Sequence, residues 1–128
     1  MTTNQEYFKD ESSKEDKDDV KNAAKNADKL KDKIKNSKSL SEFFDDLMLL
    51  SSLVKDYWKG DYRKVPYKAI TAISFTILYV LNMADIIPDI IPGIGLIDDV
   101  TIVGLCLKMV GDDLEKYKVW KQLDLKEK

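Results

Sequence analysis

A chain of 128 residues has room for one hydrophobic core, and so for one domain. A formal net charge of −2 gives no overall pull toward nucleic acid, and the absence of histidine removes the usual zinc ligand, proton shuttle and partner of a serine or cysteine nucleophile. The single cysteine, Cys106, excludes an intrachain disulfide; its place in the apolar run 101–107 predicts a buried, inert thiol in a reducing compartment.

Residues 1–16 read as a disordered acidic tail. They lack a basic segment followed by an apolar one, so no secretory signal is expected. Residues 17–38 read as a charged amphipathic helix, an extension to the domain. Val20, Ala23, Ala27, Leu30 and Ile34 recur at spacings of three and four and give a narrow seam. Lys21, Lys25 and Lys29 form one stripe beside it, and Lys31, Lys35 and Lys38 another. Such a helix suits an anionic lipid surface or the solvated side of a bundle. The seam holds no large aromatic, which favours the bundle.

The next helix is expected from Ser39, capped by Ser39 with Glu42 three residues on. Phe43, Phe44, Leu47, Leu50, Val54 and Tyr57 mark its apolar face, and Gly60 ends it. A third helix begins at Val65 or Pro66. Its stretch "AITAISFTILYVLNMA", 69–84, carries no charge, which marks either the centre of a core or a membrane segment. It would extend about 24 Å, short of a ~30 Å hydrocarbon layer.

"DIIPDIIPGIGLIDD", 85–99, then breaks the apolar run with four carboxylates. Pro88 and Pro92 stop the helix and hold Ile87 and Ile91 extended; Gly93 and Gly95 let the chain turn back. Asp98 is placed as the N-cap of a fourth helix over 99–109, with Ile97 and Ile102 as a staple. Gly111 is expected to break or kink the chain before a short amphipathic helix carrying Leu114, Tyr117 and Trp120. Residues 122–128 read as a charged C-terminal tail, and no strand pattern is present. The fold class is all-α: a small helical bundle built around an apolar helical hairpin with a Pro/Asp-rich bend.

Asp98 and Asp99 suit the positive end of the fourth helix. Asp85 and Asp89 lie past the negative end of the third and need a partner: a backbone N–H, a lysine or arginine from elsewhere (Arg63, the only arginine, is one candidate) or a cation. Oxygen ligands from Asp85, Asp89, Asp98 and Asp99 suit Mg²⁺ or Ca²⁺, but their spacing matches no EF-hand. Structural capping is the favoured reading, so no metal, cofactor or catalytic residue is expected.

The string Asp85-Ile-Ile-Pro88-Asp89-Ile-Ile-Pro92, followed by Gly95-Leu-Ile-Asp98-Asp99, resembles the YkvA-like family, domain of unknown function 1232, found mostly in bacteria. The resemblance runs from about Leu50 to Trp120 and implies a helical domain over 39–121. One departure is "LNMAD", where the family often has a Ser-Pro-Ile-Asp element. The resemblance implies no established reaction, and it implies membrane association. The expected function is therefore a small non-enzymatic membrane-associated helical protein with the hairpin 69–110 in or against the bilayer. Lys64, Lys68 and Lys108 at the hairpin's open end favour that end facing the cytoplasm. The alternative is a soluble interaction or regulatory protein that binds a partner protein through its helices, as a monomer or homo-oligomer on the cytoplasmic side or in the cytoplasm. A pore-forming hairpin and a divalent-cation-dependent enzyme rank lower, and nucleic acid is not an expected partner.

Overall fold

The uncharged stretch is the centre of the molecule. The computed structural model describes residues 4–12, 17–81, 90–91, 95–96 and 99–127. Their helices are α1 (Asn4–Ser12), α2 (Lys17–Asn26), α3 (Leu30–Lys35), α4 (Lys38–Ser41), α5 (Phe44–Lys59), α6 (Tyr67–Val80) and α7 (Asp99–Glu127), with one 3-10 turn at Ala27–Lys29. The fold is all-α, as expected. The one addition is a short antiparallel pair, β1 (Ile90–Ile91) with β2 (Gly95–Leu96), in which Ile90 faces Leu96 and Ile91 faces Gly95. That pairing reverses the chain between α6 and α7, in a stretch where no strand was expected.

α6 is apolar all round and packs against α1, α2, α5 and α7. From Ala69 to Val80 every residue is buried except the half-buried Tyr79. Its hydroxyls are satisfied within the helix. Thr71 donates to the Lys68 carbonyl at 2.9 Å, Ser74 to that of Ile70 at 2.8 Å and Thr76 to that of Ala72 at 2.8 Å. Pro66 precedes the helix with extended backbone, and its carbonyl accepts from the Ala69 and Ile70 N–H groups.

α7 runs antiparallel to α6. Cys106 lies against Ala72, and further along Met109 and Asp113 lie beside Ala69 and Pro66. The helix continues unbroken through Gly111, contrary to the expected break. A glycine inside a helix costs only about 1 kcal/mol, less than the packing of the buried residues on either side. Val110 before it and Leu114 and Tyr117 after it are all buried.

The seam of Val20, Ala23, Ala27, Leu30 and Ile34 is buried as expected. Gly60 ends α5 with φ +87°, and the Gly60 and Asp61 N–H groups bond the Tyr57 and Asp56 carbonyls, which is the geometry only a glycine takes cheaply.

Two local expectations are corrected. The cap near residue 39 is Ser37, whose Oγ accepts from the Leu40 N–H at 3.3 Å; α4 is a single turn, and α5 starts only at Phe44. The N-terminal stretch is not all solvated tail. α1 buries Phe8 to 1% exposure, its ring edge-on to Phe75 with centroids 5.5 Å apart. One aromatic anchor gives a polar segment about 2–3 kcal/mol of burial, which the average composition conceals.

Among the described residues no helix is long and apolar enough to cross a membrane. Of the two roles open to the uncharged stretch, a membrane segment and the centre of a core, α6 takes the second, packed against α1, α2, α5 and α7.

Candidate functional site

Two of the motif residues lie in described elements: Gly95 in β2 and Asp99 in the first turn of α7, where the helix dipole favours a carboxylate. Asp85, Pro88, Asp89, Pro92 and Asp98 lie outside the described residues, as does Ile97 of the expected staple. Ile102, its proposed partner, is fully buried. Among the described residues no three metal-ligating side chains converge. Arg63, a candidate counter-ion for Asp85 or Asp89, holds its guanidinium over the Tyr57 ring at 4.5 Å.

The end of the bundle away from the bend is built from five pieces of chain. These are the start of α2, the end of α5, the connector 60–66, the start of α6 and the middle of α7. Here "WKGDYRKVPYK", 58–68, sets Lys59, Arg63, Lys64 and Lys68 against one acid, Asp61. All five are exposed. Trp58 and Tyr67 stand 40% and 47% exposed beside them. Lys17, Val20, Tyr57, Trp58, Arg63 and Tyr67 line a cavity of about 260 Å³. Gly60 turns the chain so that aromatic and basic residues from α5 and α6 share this end. Asp18 and Asp61 are exposed acids at this end, and Asp112 and Glu115 are exposed on the adjoining middle of α7.

Behind that end lies a buried polar joint. Tyr117 of α7 donates its phenolic hydrogen to Asp56 Oδ2 of α5 at 2.6 Å, and Lys121 Nζ approaches the same oxygen at 3.0 Å. Ser52 Oγ completes the group by a short contact to the Tyr117 hydroxyl. Asp56 is 8% exposed and Tyr117 fully buried. Burial pushes the Tyr117 phenol above its ordinary range, and its bond to Asp56 pushes it further. Tyr62 packs edge-on to Tyr117 at 5.1 Å and tilted against Trp120 at 4.9 Å. Burial raises its phenol too, with the Asp113 charge adding to the effect. The Asp56 carboxylate already accepts from a phenol and an ammonium, so the joint fastens α5 to α7.

Cys106 lies fully buried between α6 and α7, with its thiol directed at the Ala72 carbonyl at 3.8 Å. Burial pushes the thiol up to about 12, which keeps it protonated and unreactive, as expected from sequence.

Neither the polar joint nor the exposed aromatics at the basic end are singled out by the sequence reading. A signal for the first exists. Asp56 falls three residues after Leu53 and six after Leu50, on the apolar face of α5, where a carboxylate requires a partner. Nothing local says that the partner is Tyr117, 61 residues away.

The segment that forms α6, the bend and the start of α7 is what other proteins share with this one. Residues 69–105 match the family described as "Protein of unknown function (DUF1232)". The chain is 35% identical over 69 residues to "Uncharacterized membrane protein YkvA" of Bacillus subtilis (strain 168). That match covers 54% of this chain and spans 65% of the relative's own length. No solved structure matches significantly. The likeness is to the YkvA-like, DUF1232 family, and residues 69–105 carry it.

Proposed function

We propose that this protein is a non-enzymatic helical module that attaches to the surface of an anionic membrane by its basic end. The observation that carries this reading is the pairing of exposed Trp58 and Tyr67 with Lys17, Lys59, Arg63, Lys64 and Lys68 at that end. Tryptophan and tyrosine settle at the headgroup level, and each nearby lysine or arginine adds about 1 kcal/mol toward an anionic leaflet. The relative's name, a membrane protein, supports the same direction. The sheathing of α6 favours docking against the bilayer over insertion of the hairpin 69–110, and a basic face suits the cytoplasmic leaflet.

The test is sedimentation with vesicles of phosphatidylcholine, with and without phosphatidylglycerol. Binding to the anionic vesicles alone is expected, with Trp58→Ala/Tyr67→Ala and Arg63→Gln/Lys64→Gln each weakening it, and release by salt within the screening range. No binding, or equal binding to neutral vesicles, contradicts the reading.

A second reading, a protein-interaction module, rests on Val119 and Leu123. They lie one turn apart on α7 and are each 55% exposed. Concentration-dependent self-association lost in Val119→Lys/Leu123→Lys, without vesicle binding, would favour it.

A further inference from the structure

We infer that the groove between α1 and α7 is a binding site for a single anionic amphiphile, a phosphate-bearing headgroup with the first part of an alkyl chain. The inference rests on the membrane-surface reading and names a ligand for a neighbouring face of the same end. Two adjoining cavities carry it. One, of about 290 Å³, is lined by Gln5, Phe8, Lys9, Leu105, Lys108 and Met109. The other, of about 240 Å³, is lined by Lys9, Pro66, Lys68, Ala69, Met109 and Asp113. They share Lys9 and Met109, so they form one groove.

Its chemistry is divided. Lys9 comes from α1, Lys68 from α6 and Lys108 from α7, all three exposed, and no ion pair among the described residues ties any of them to a carboxylate. Lys9 and Lys108 line the first cavity with no carboxylate among its lining residues, and a phosphate between them would relieve the repulsion of the two ammonium groups. The floor is Phe8, Leu105 and Met109, the last two only half-buried. A free phosphate makes no use of that floor, whereas an alkyl chain covers it at about 0.8 kcal/mol for each buried methylene. Each cavity alone falls short of the ~300–1,000 Å³ range of small-molecule sites, and the two joined as one groove have room for a headgroup and a short length of chain. The Asp113 carboxylate lines the second cavity and disfavours an anion there, so the anionic group seats in the first, between Lys9 and Lys108. The groove adjoins the basic end through Pro66–Ala69, since Tyr67 lines the aromatic cavity and Lys68 this one.

The experiment uses the full chain without vesicles and titrates monomeric dodecyl phosphate below its micelle concentration by calorimetry, with inorganic phosphate and dodecyltrimethylammonium in parallel. Saturable 1:1 binding of dodecyl phosphate is expected. Lys9→Gln/Lys108→Gln should weaken it by about fivefold for each lysine removed, and Lys9→Arg/Lys108→Arg should keep it. All the substituted lysines are exposed, and circular dichroism checks that the variants fold. Three outcomes overturn the proposal: no binding, undiminished binding in the glutamine variant, or inorganic phosphate competing as well as dodecyl phosphate. Vesicle sedimentation of the same variants separates the two readings. Vesicle binding without dodecyl phosphate binding overturns the groove and leaves the surface attachment standing. Dodecyl phosphate binding without vesicle binding overturns the attachment and supports the groove as a site for a soluble amphiphile.

Discussion

The two halves of α7 are held by different chemistry. From Asp99 to Val110 the helix lies on α6 through Ile102, Val103 and Cys106, an apolar seam with a thiol as its most polar group. From Gly111 onward it is fastened to α5 by the Asp56–Tyr117–Lys121 joint and to the connector after α5 by the ring of Tyr62 against those of Tyr117 and Trp120. Most of the first half lies in the family segment 69–105, whereas the joint lies outside it. Apolar burial is non-directional and tolerates exchange among similar volumes, so it preserves a hairpin; the joint requires particular partners and sets how α5 meets the end of the bundle.

The largest expected effect is in the apolar half. Ile102→Ala leaves a hole in a fully buried position and should lower the unfolding free energy by about 2–5 kcal/mol in chemical denaturation. A loss below ~1 kcal/mol would mean that the seam is loosely packed.

Tyr117→Phe keeps the ring and removes only the hydroxyl. It should cost about 1.5–3 kcal/mol, because the bond is to a charged, buried acceptor. The same variant tests a pH effect. The folded phenol titrates above the free value of 10.0, so the unfolded chain loses its proton first. The stability that comes from this group is complete below pH 10.0 and is lost as pH rises from there through the folded value. Denaturation curves measured from pH 8 to 11.5 should fall less steeply at the alkaline end for Tyr117→Phe than for the unaltered chain. Equal slopes would place the alkaline sensitivity in another group.

The junction of the halves gives a smaller effect of opposite sign. An added Cβ at Gly111 meets nothing within 4 Å, so Gly111→Ala should raise stability by about 0.5–1 kcal/mol. A loss would show that a kink at 111 matters. Gly60→Ala is the counterpart and should cost about 1–2 kcal/mol, because φ is +87° there.

The smallest effect lies away from both halves, in the exposed pair of Asp28 with Lys55 at 2.6 Å. The bond to Lys55 lowers the Asp28 carboxyl below 3.8. Its contribution is present above 3.8 and lost as pH falls toward the lower folded value. Asp28→Asn should change stability at neutral pH by under ~1 kcal/mol, since solvent screens the pair.

These differences also mark what the sequence could reveal. α6 was legible because sixteen uncharged residues admit few other roles, and Gly60 because the apolar period stops there. The seam from Val20 to Ile34 was legible because helical spacing is a local property. Phe8 was not, because one aromatic among charges becomes an anchor only when Phe75 is brought beside it. Gly111 reads as a break because its intrinsic cost is local, whereas the packing of Leu114 and Tyr117 that outweighs it is not. Ser37 and Ser39 are chemically equal as caps, and only backbone geometry selects Ser37. At the basic end, Trp58, Tyr67 and their basic neighbours lie in one contiguous string, 58–68, which reads only as a helix connection until the fold brings Lys17 and Val20 of α2 beside it.

Cys106 offers the most direct measurement of whether the bundle stays closed on a membrane, because it is the chain's only thiol and lies sealed between α6 and α7. Its rate of modification is compared with and without anionic vesicles, using one water-soluble and one membrane-permeant maleimide. Docking by the basic end leaves both reactions slow and unchanged when the protein is bound. Acceleration of either on vesicle binding would show that α6 and α7 separate, and that the hairpin enters the bilayer.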